Sequence, residues 1–229
     1  LTLIGIGFVF IGQLYTLQYF GVGNETDALF AGVAIPLLLI TIISASLNSV
    51  LVPLFSNLSD GNLKIVTWNY IYLLFCVFFI ITVILVSYID CWLPLILSGF
   101  SSDKLQLTIS LTKIQLWAIP FSIVYAVICS SLYSRNKYVR VEFVPALTSI
   151  LTLPALYFLF PYYGIYIAAV IPLAKIIIQL LLQKKKKKKP VKPQVFKVIK
   201  ISEFKKIQPV ILGSLYYKSG PLFDRYLLS

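Results

Sequence analysis

Six apolar runs, each long enough to cross a bilayer, constrain this chain more than any other feature. They cover 1–20, 28–55, 66–89, 105–133, 141–160 and 163–183. A spanning helix needs about 20 mostly apolar residues. A seventh run, 209–229, is more polar. None shows the alternation of a membrane-barrel strand. In lipid the backbone must satisfy its own hydrogen bonds, which leaves helices. With 59% of residues hydrophobic and only 12% charged, the chain has too little polar surface to cover a soluble core. The expected fold is all-α, a polytopic membrane helix bundle. The chain opens at Leu1, inside an apolar run, and contains no Met, so it is expected to be part of a longer protein. Residues 1–20 lack the basic start and small-residue cleavage site of a signal peptide.

The net charge of +12 does not point to nucleic acid, because of where the cations lie. The connections after the second, fourth and sixth runs hold Lys64; Arg135, Lys137 and Arg140; and the lysines at 184–189, 192, 197, 200, 205 and 206. The connections after the first, third and fifth hold only Lys104. Fifteen cations against one is a positive-inside signal, so the N-terminus is expected in the cytoplasm. The long basic connection, 184–208, reads as a solvated linker that meets anionic membrane lipids. It separates a first unit, 1–183, from the start of a second, 209–229. Between the third and fourth runs, 90–104 is too short to span, and its Trp92 suggests a segment at the outer interface. Residues 161–164 read as an outer turn.

The stretch 20–55 carries more polar character than an anchor needs. Glu25 and Asp27 stand at the mouth of the second run. Ser44, Ser46, Asn48 and Ser49 lie within it, and Pro36 and Pro53 interrupt it. This pattern suits a helix beside a gated, water-filled path. Ionisable residues inside spans normally face a bundle interior or an aqueous cavity. Four cations fall within runs: Lys113, Lys175, Lys218 and Arg225, with Asp224 beside the last. Lys113 and Lys175 read either as cavity-lining or as snorkelling toward an interface. Lys218 reads as a cavity residue, and Asp224 with Arg225 as a cavity or a structural ion pair. Cations outnumbering acids in this way would attract anions. Prolines within spans mark bends, and Pro36, Pro120 and Pro221 are candidate hinges.

There is no His, and the three cysteines show no metal spacing. No nucleotide loop, nucleophile elbow or metalloprotease motif occurs, so no enzyme, cofactor or metal site is expected.

The segment FGVGNETDALFAGVAIP, followed by LVPLF, resembles the MurJ (MviN) family of lipid II flippases, within the multidrug/oligosaccharidyl-lipid/polysaccharide exporter superfamily. Residues 95–114, 132–150 and 208–229 resemble further elements of that family in order. The resemblance implies a bacterial cytoplasmic-membrane protein of about fourteen helices in two six-helix lobes plus two. It implies alternating access around a cationic cavity that takes lipid II, an undecaprenyl-pyrophosphate-linked cell-wall precursor. This chain would be the first lobe, the linker and the start of the second lobe, and a monomer is expected. Asp27 would match the family's TDA carboxylate and Lys113 its fourth-helix cation. The family's arginines in the first helix and after the second-helix proline have no counterpart in 1–20 or 37–44. That leaves another lipid-linked polysaccharide open as substrate. A multidrug exporter fits less well, because it would want acidic cavity residues.

Overall fold

A computed structural model describes residues 2–97 and 99–183. The described residues form eight helices: α1 Thr2–Phe20, α2 Asn24–Ser56, α3 Asp60–Ser87, α4 Ile89–Ile96, α5 Ser102–Leu116, α6 Ala118–Tyr133, α7 Tyr138–Tyr163 and α8 Tyr166–Gln183. Six spans are long and apolar enough to cross a membrane, with α5 and α6 together forming one of them. The seventh expected run, 209–229, lies outside the described residues.

The helices pack as an up-down bundle with α6 at its centre, against α2, α3, α7 and α8. The main apolar core joins α2, α3, α4 and α6 through Leu47, Leu51, Phe55, Tyr70, Leu74, Leu93, Ile119 and Ile123. A smaller one joins α2, α5 and α8 through Ala28, Leu29, Leu111 and Ala169. At the periphery, α1 packs mainly along α7. Gly5 lies against Ala146, Gly12 against Leu153 and Leu156, and Tyr15 stacks on Phe160 at 5.6 Å. Contacts that advance together along both chains make α1 and α7 parallel.

Several boundaries differ from those expected, each for a local reason. α2 starts at Asn24, not at Ala28. Thr26 closes its first turn: the Gly23 amide donates to Thr26 Oγ1 at 3.1 Å, and that hydroxyl lies 3.0 Å from the Gly21 carbonyl. Gly21 takes φ +74, a conformation that favours glycine. Glu25 and Asp27 thereby sit inside the first helical turn, where the helix dipole favours acids. At 33 residues α2 is about 50 Å long, well beyond a ~30 Å hydrocarbon core.

The expected single fourth helix is broken at Trp117 into α5 and α6. Pro120 has no amide hydrogen to give the Leu116 carbonyl, so the ladder fails there. The expected outer turn at 161–164 is shorter. α7 runs through Pro161 to Tyr163 and ends on Gly164 at φ +57. The connection 90–104 contains all of α4 but its first residue, and this helix packs into the core. Ile89 and Leu93 are fully buried, and Trp92 Nε1 donates to the Leu85 carbonyl at 3.0 Å.

Hydroxyls inside the bundle are largely satisfied within their own helices. Thr16, Ser46, Thr108, Thr148 and Ser130 each donate to the carbonyl four residues earlier. Such bonds let polar side chains sit in an apolar span without exposing an orphan donor.

Candidate functional site

The polar residues of α2 divide between two faces. Ser46 is buried against its own helix. Asn48 turns toward α6, where the Ser130 hydroxyl lies 2.6 Å from Asn48 Oδ1. Ser49 is exposed. It belongs to a run of exposed positions, Ala34, Leu37, Thr41, Ala45, Ser49 and Pro53, spaced three or four apart. That spacing places them on one side of the helix. The side is mostly small or weakly polar and uncharged. Pro36 is buried between α2 and its neighbours, while Pro53 is on the exposed side.

At the Asn24 end of this face, Asp27 Oδ2 lies 2.7 Å from Lys104 Nζ in the first turn of α5. The Lys104 side chain is only 16% exposed and stands 4.3 Å from the Phe100 ring centroid. This cation was read from the sequence only as a loop charge. Its being the lone base in the connections on the Asp27 side is the signal that could have singled it out. The adjacent turns of α2 and α5 come close enough that a Cβ on Gly32 would lie 2.9 Å from Thr112 Oγ1. Gly32 thus lets the two helices approach.

Lys113 Nζ lies 3.3 Å from Asp90 Oδ2, at the start of α4. Its side chain is 40% exposed, and a carboxylate offsets its charge. Sequence reasoning missed that compensation, because Asp90 lies 23 residues away in a segment read as peripheral. Lys175 is half-buried between α7 and α8 and donates to Ser149 Oγ at 2.8 Å. One turn further on, Gln179 Nε2 donates to Thr148 Oγ1 at 2.9 Å. Asp27, Asn48, Lys113 and Lys175 therefore meet four different partners, and the described helices do not gather them into one cluster. Lys218, Asp224, Arg225 and Pro221 lie outside the described residues.

The opposite end of the bundle is held by arginines. Arg135 Nη2 donates to the Leu58 carbonyl, and its Nε stands 2.9 Å from Asp60 Oδ1. One side chain thus ties the α2–α3 turn to the α6–α7 turn. Arg140 Nη2 donates to the Gln183 carbonyl at 3.1 Å and so fastens the start of α7 to the end of α8. Both were visible in the sequence only as part of a charge count.

Comparison with known proteins bears on all of this. The family model described as lipid II flippase MurJ matches residues 17–216. A solved structure titled "Lipid II flippase MurJ, inward closed conformation" superposes with a TM-score of 0.68 at 20% identity. The match covers 95% of this chain and 48% of that one, so this chain spans about half the length of the solved flippase. No curated protein sequence matches significantly. The likeness of structure establishes the helical membrane fold, and the family model, covering most of the chain, establishes the kinship. This chain belongs to the MurJ family of lipid II flippases.

Proposed function

We propose that this chain supplies the first lobe of a flippase that carries lipid II, an undecaprenyl-pyrophosphate-linked cell-wall precursor, across the bacterial cytoplasmic membrane. The family match over residues 17–216 carries this reading. The open side of α2 supports a path along that helix. The exposed side of α2, from Ala34 to Pro53, has the small, weakly polar surface that a second lobe and a passing headgroup require. Differential binding of the headgroup to inward- and outward-facing states would drive the lobes to rock. Asp27 and Lys104 stand at one mouth of that face, and Pro36 and the Pro120 break are its candidate hinges. Lys113, Lys175 and Asn48 remain candidates for the path, as do Lys218, Asp224, Arg225 and the hinge Pro221 beyond the described residues. We place the N-terminus and the Arg135 end in the cytoplasm, on the cation distribution. The 184–208 linker then meets anionic lipids of the inner leaflet. The protein acts as a transporter, not as an enzyme, and as a monomer.

Cells depleted of their own lipid II flippase test the substrate. Full-length protein should restore growth and wall synthesis, and failure to do so at normal expression would overturn lipid II as the cargo. One observation favours a second reading. Residues 37–44, which follow Pro36, carry no cation. The arginines that the family resemblance leads one to expect there are missing, which leaves a flippase for another lipid-linked polysaccharide as that reading. It would fail the depletion test but restore export of that polymer.

A further inference from the structure

At the Arg135 end of the bundle, the α6–α7 turn and the first turns of α7 border an open cavity of about 460 Å³. Asn136, Lys137, Val139, Arg140 and Phe143 line it. Its composition is unusual for a surface that only meets water. Its wall is mostly apolar, two cations border it, and among the described residues no acid lines it. Val139 is 74% exposed and Phe143 51%, and they lie four residues apart on one side of α7. The nearest carboxylate in sequence, Glu142, is directed to α6, where the Tyr133 hydroxyl lies 3.2 Å from its Oε1. The Arg140 guanidinium is held in place by its bond to the Gln183 carbonyl. A free inorganic anion would use the cations and leave the apolar wall idle. An amphiphile with a phosphate head and an acyl chain uses both.

We propose that this cavity and the cations at its rim hold one anionic phospholipid. Lys137 and Arg140 contact the phosphate, and an acyl chain lies along Val139 and Phe143. Basic clusters at the cytoplasmic ends of spanning helices suit such headgroups. The site is distinct from the transport path proposed on α2. Its assignment to the inner leaflet rests on the orientation proposed above, whereas binding itself does not.

The test uses the full chain in phosphatidylcholine nanodiscs doped with phosphatidylglycerol, with the phosphatidylglycerol retained on release read by native mass spectrometry. The double variant Lys137→Gln/Arg140→Gln should retain roughly tenfold less phosphatidylglycerol than wild type. Lys64→Gln, on the far side of the same end, should match wild type. Because losing Arg140 also loses its bond to Gln183, the single variant Lys137→Gln is included. Lys137 is exposed, so this change should preserve the fold while still lowering retention. Equal retention by wild type and Lys137→Gln would overturn the site. So would displacement of phosphatidylglycerol by millimolar inorganic phosphate, which would show a free-anion site. Lipid retention is read without transport. A chain that binds the lipid but fails to rescue depleted cells therefore refutes only the cargo, and the reverse result refutes only this site.

Discussion

Asp27 and Lys104 show how far a single side chain's role depends on what faces it. Exposed ion pairs contribute little, about 0–1 kcal/mol, because water screens them. This pair is only half open, with Lys104 largely covered and its ammonium near the Phe100 ring. A double-mutant cycle with Asp27→Asn and Lys104→Gln, read as thermal stability of the purified protein, should give a coupling of about 0.5–1 kcal/mol. Strictly additive effects would mean that the two charges ignore each other. The acid was legible in the sequence, from its place at the start of an apolar run and from the TDA element. Its partner was not, because 77 residues separate them and only the packing of α5 on α2 brings them together. Lys113 teaches the same lesson in reverse. In the sequence it is an uncompensated charge in a span, and in the fold it has Asp90.

At the scale of helices, small residues and prolines set the geometry. At Gly32 α2 and α5 approach closely, with Thr112 Oγ1 2.7 Å from the Thr108 carbonyl and 3.3 Å from that of Gly32. A side chain at position 32 must displace this hydroxyl. Gly32→Val should lower stability by about 1–3 kcal/mol through overpacking, measured as a lower midpoint in thermal or denaturant unfolding. The number of spans and their approximate limits were legible, because apolar length is a property of the chain alone. The break at Trp117 was half legible: Pro120 announced a bend, but three residues before it the chain gives no sign of where the ladder would part. α4 was not legible as core. Its eight residues are too few to register as a span, and burial of Ile89 and Leu93 depends on the apolar core that forms only when α4 packs on α3 and α5.

For the whole molecule, the proposed orientation fixes which end of the bundle meets which side of the membrane. The three cysteines offer a direct measurement, since among the free thiols Cys91 is exposed, Cys129 buried and Cys76 intermediate. With the N-terminus in the cytoplasm, Cys91 on α4 faces outward. A membrane-impermeant maleimide should therefore label intact cells, and Cys91→Ser should abolish that labelling. Labelling confined to inside-out vesicles would invert the topology and with it the inner-leaflet placement of the α7 cavity.

Hydrophobic length and charge distribution are read one residue at a time. They were enough to determine a multi-pass helical membrane protein with six spans before residue 184, and its TDA element was enough to indicate the family. Pairing is a property of surfaces brought together. Which side of α2 is packed and which is open, that Asn48 meets Ser130, that Lys104 answers Asp27, and that Arg140 grips the end of α8 were decided only by tertiary structure. The physical reason is that a helix rotates by about 100° per residue. A segment's composition determines that it enters the membrane, but its rotation and neighbours determine which side chains meet, and those are settled only when all the helices pack at once.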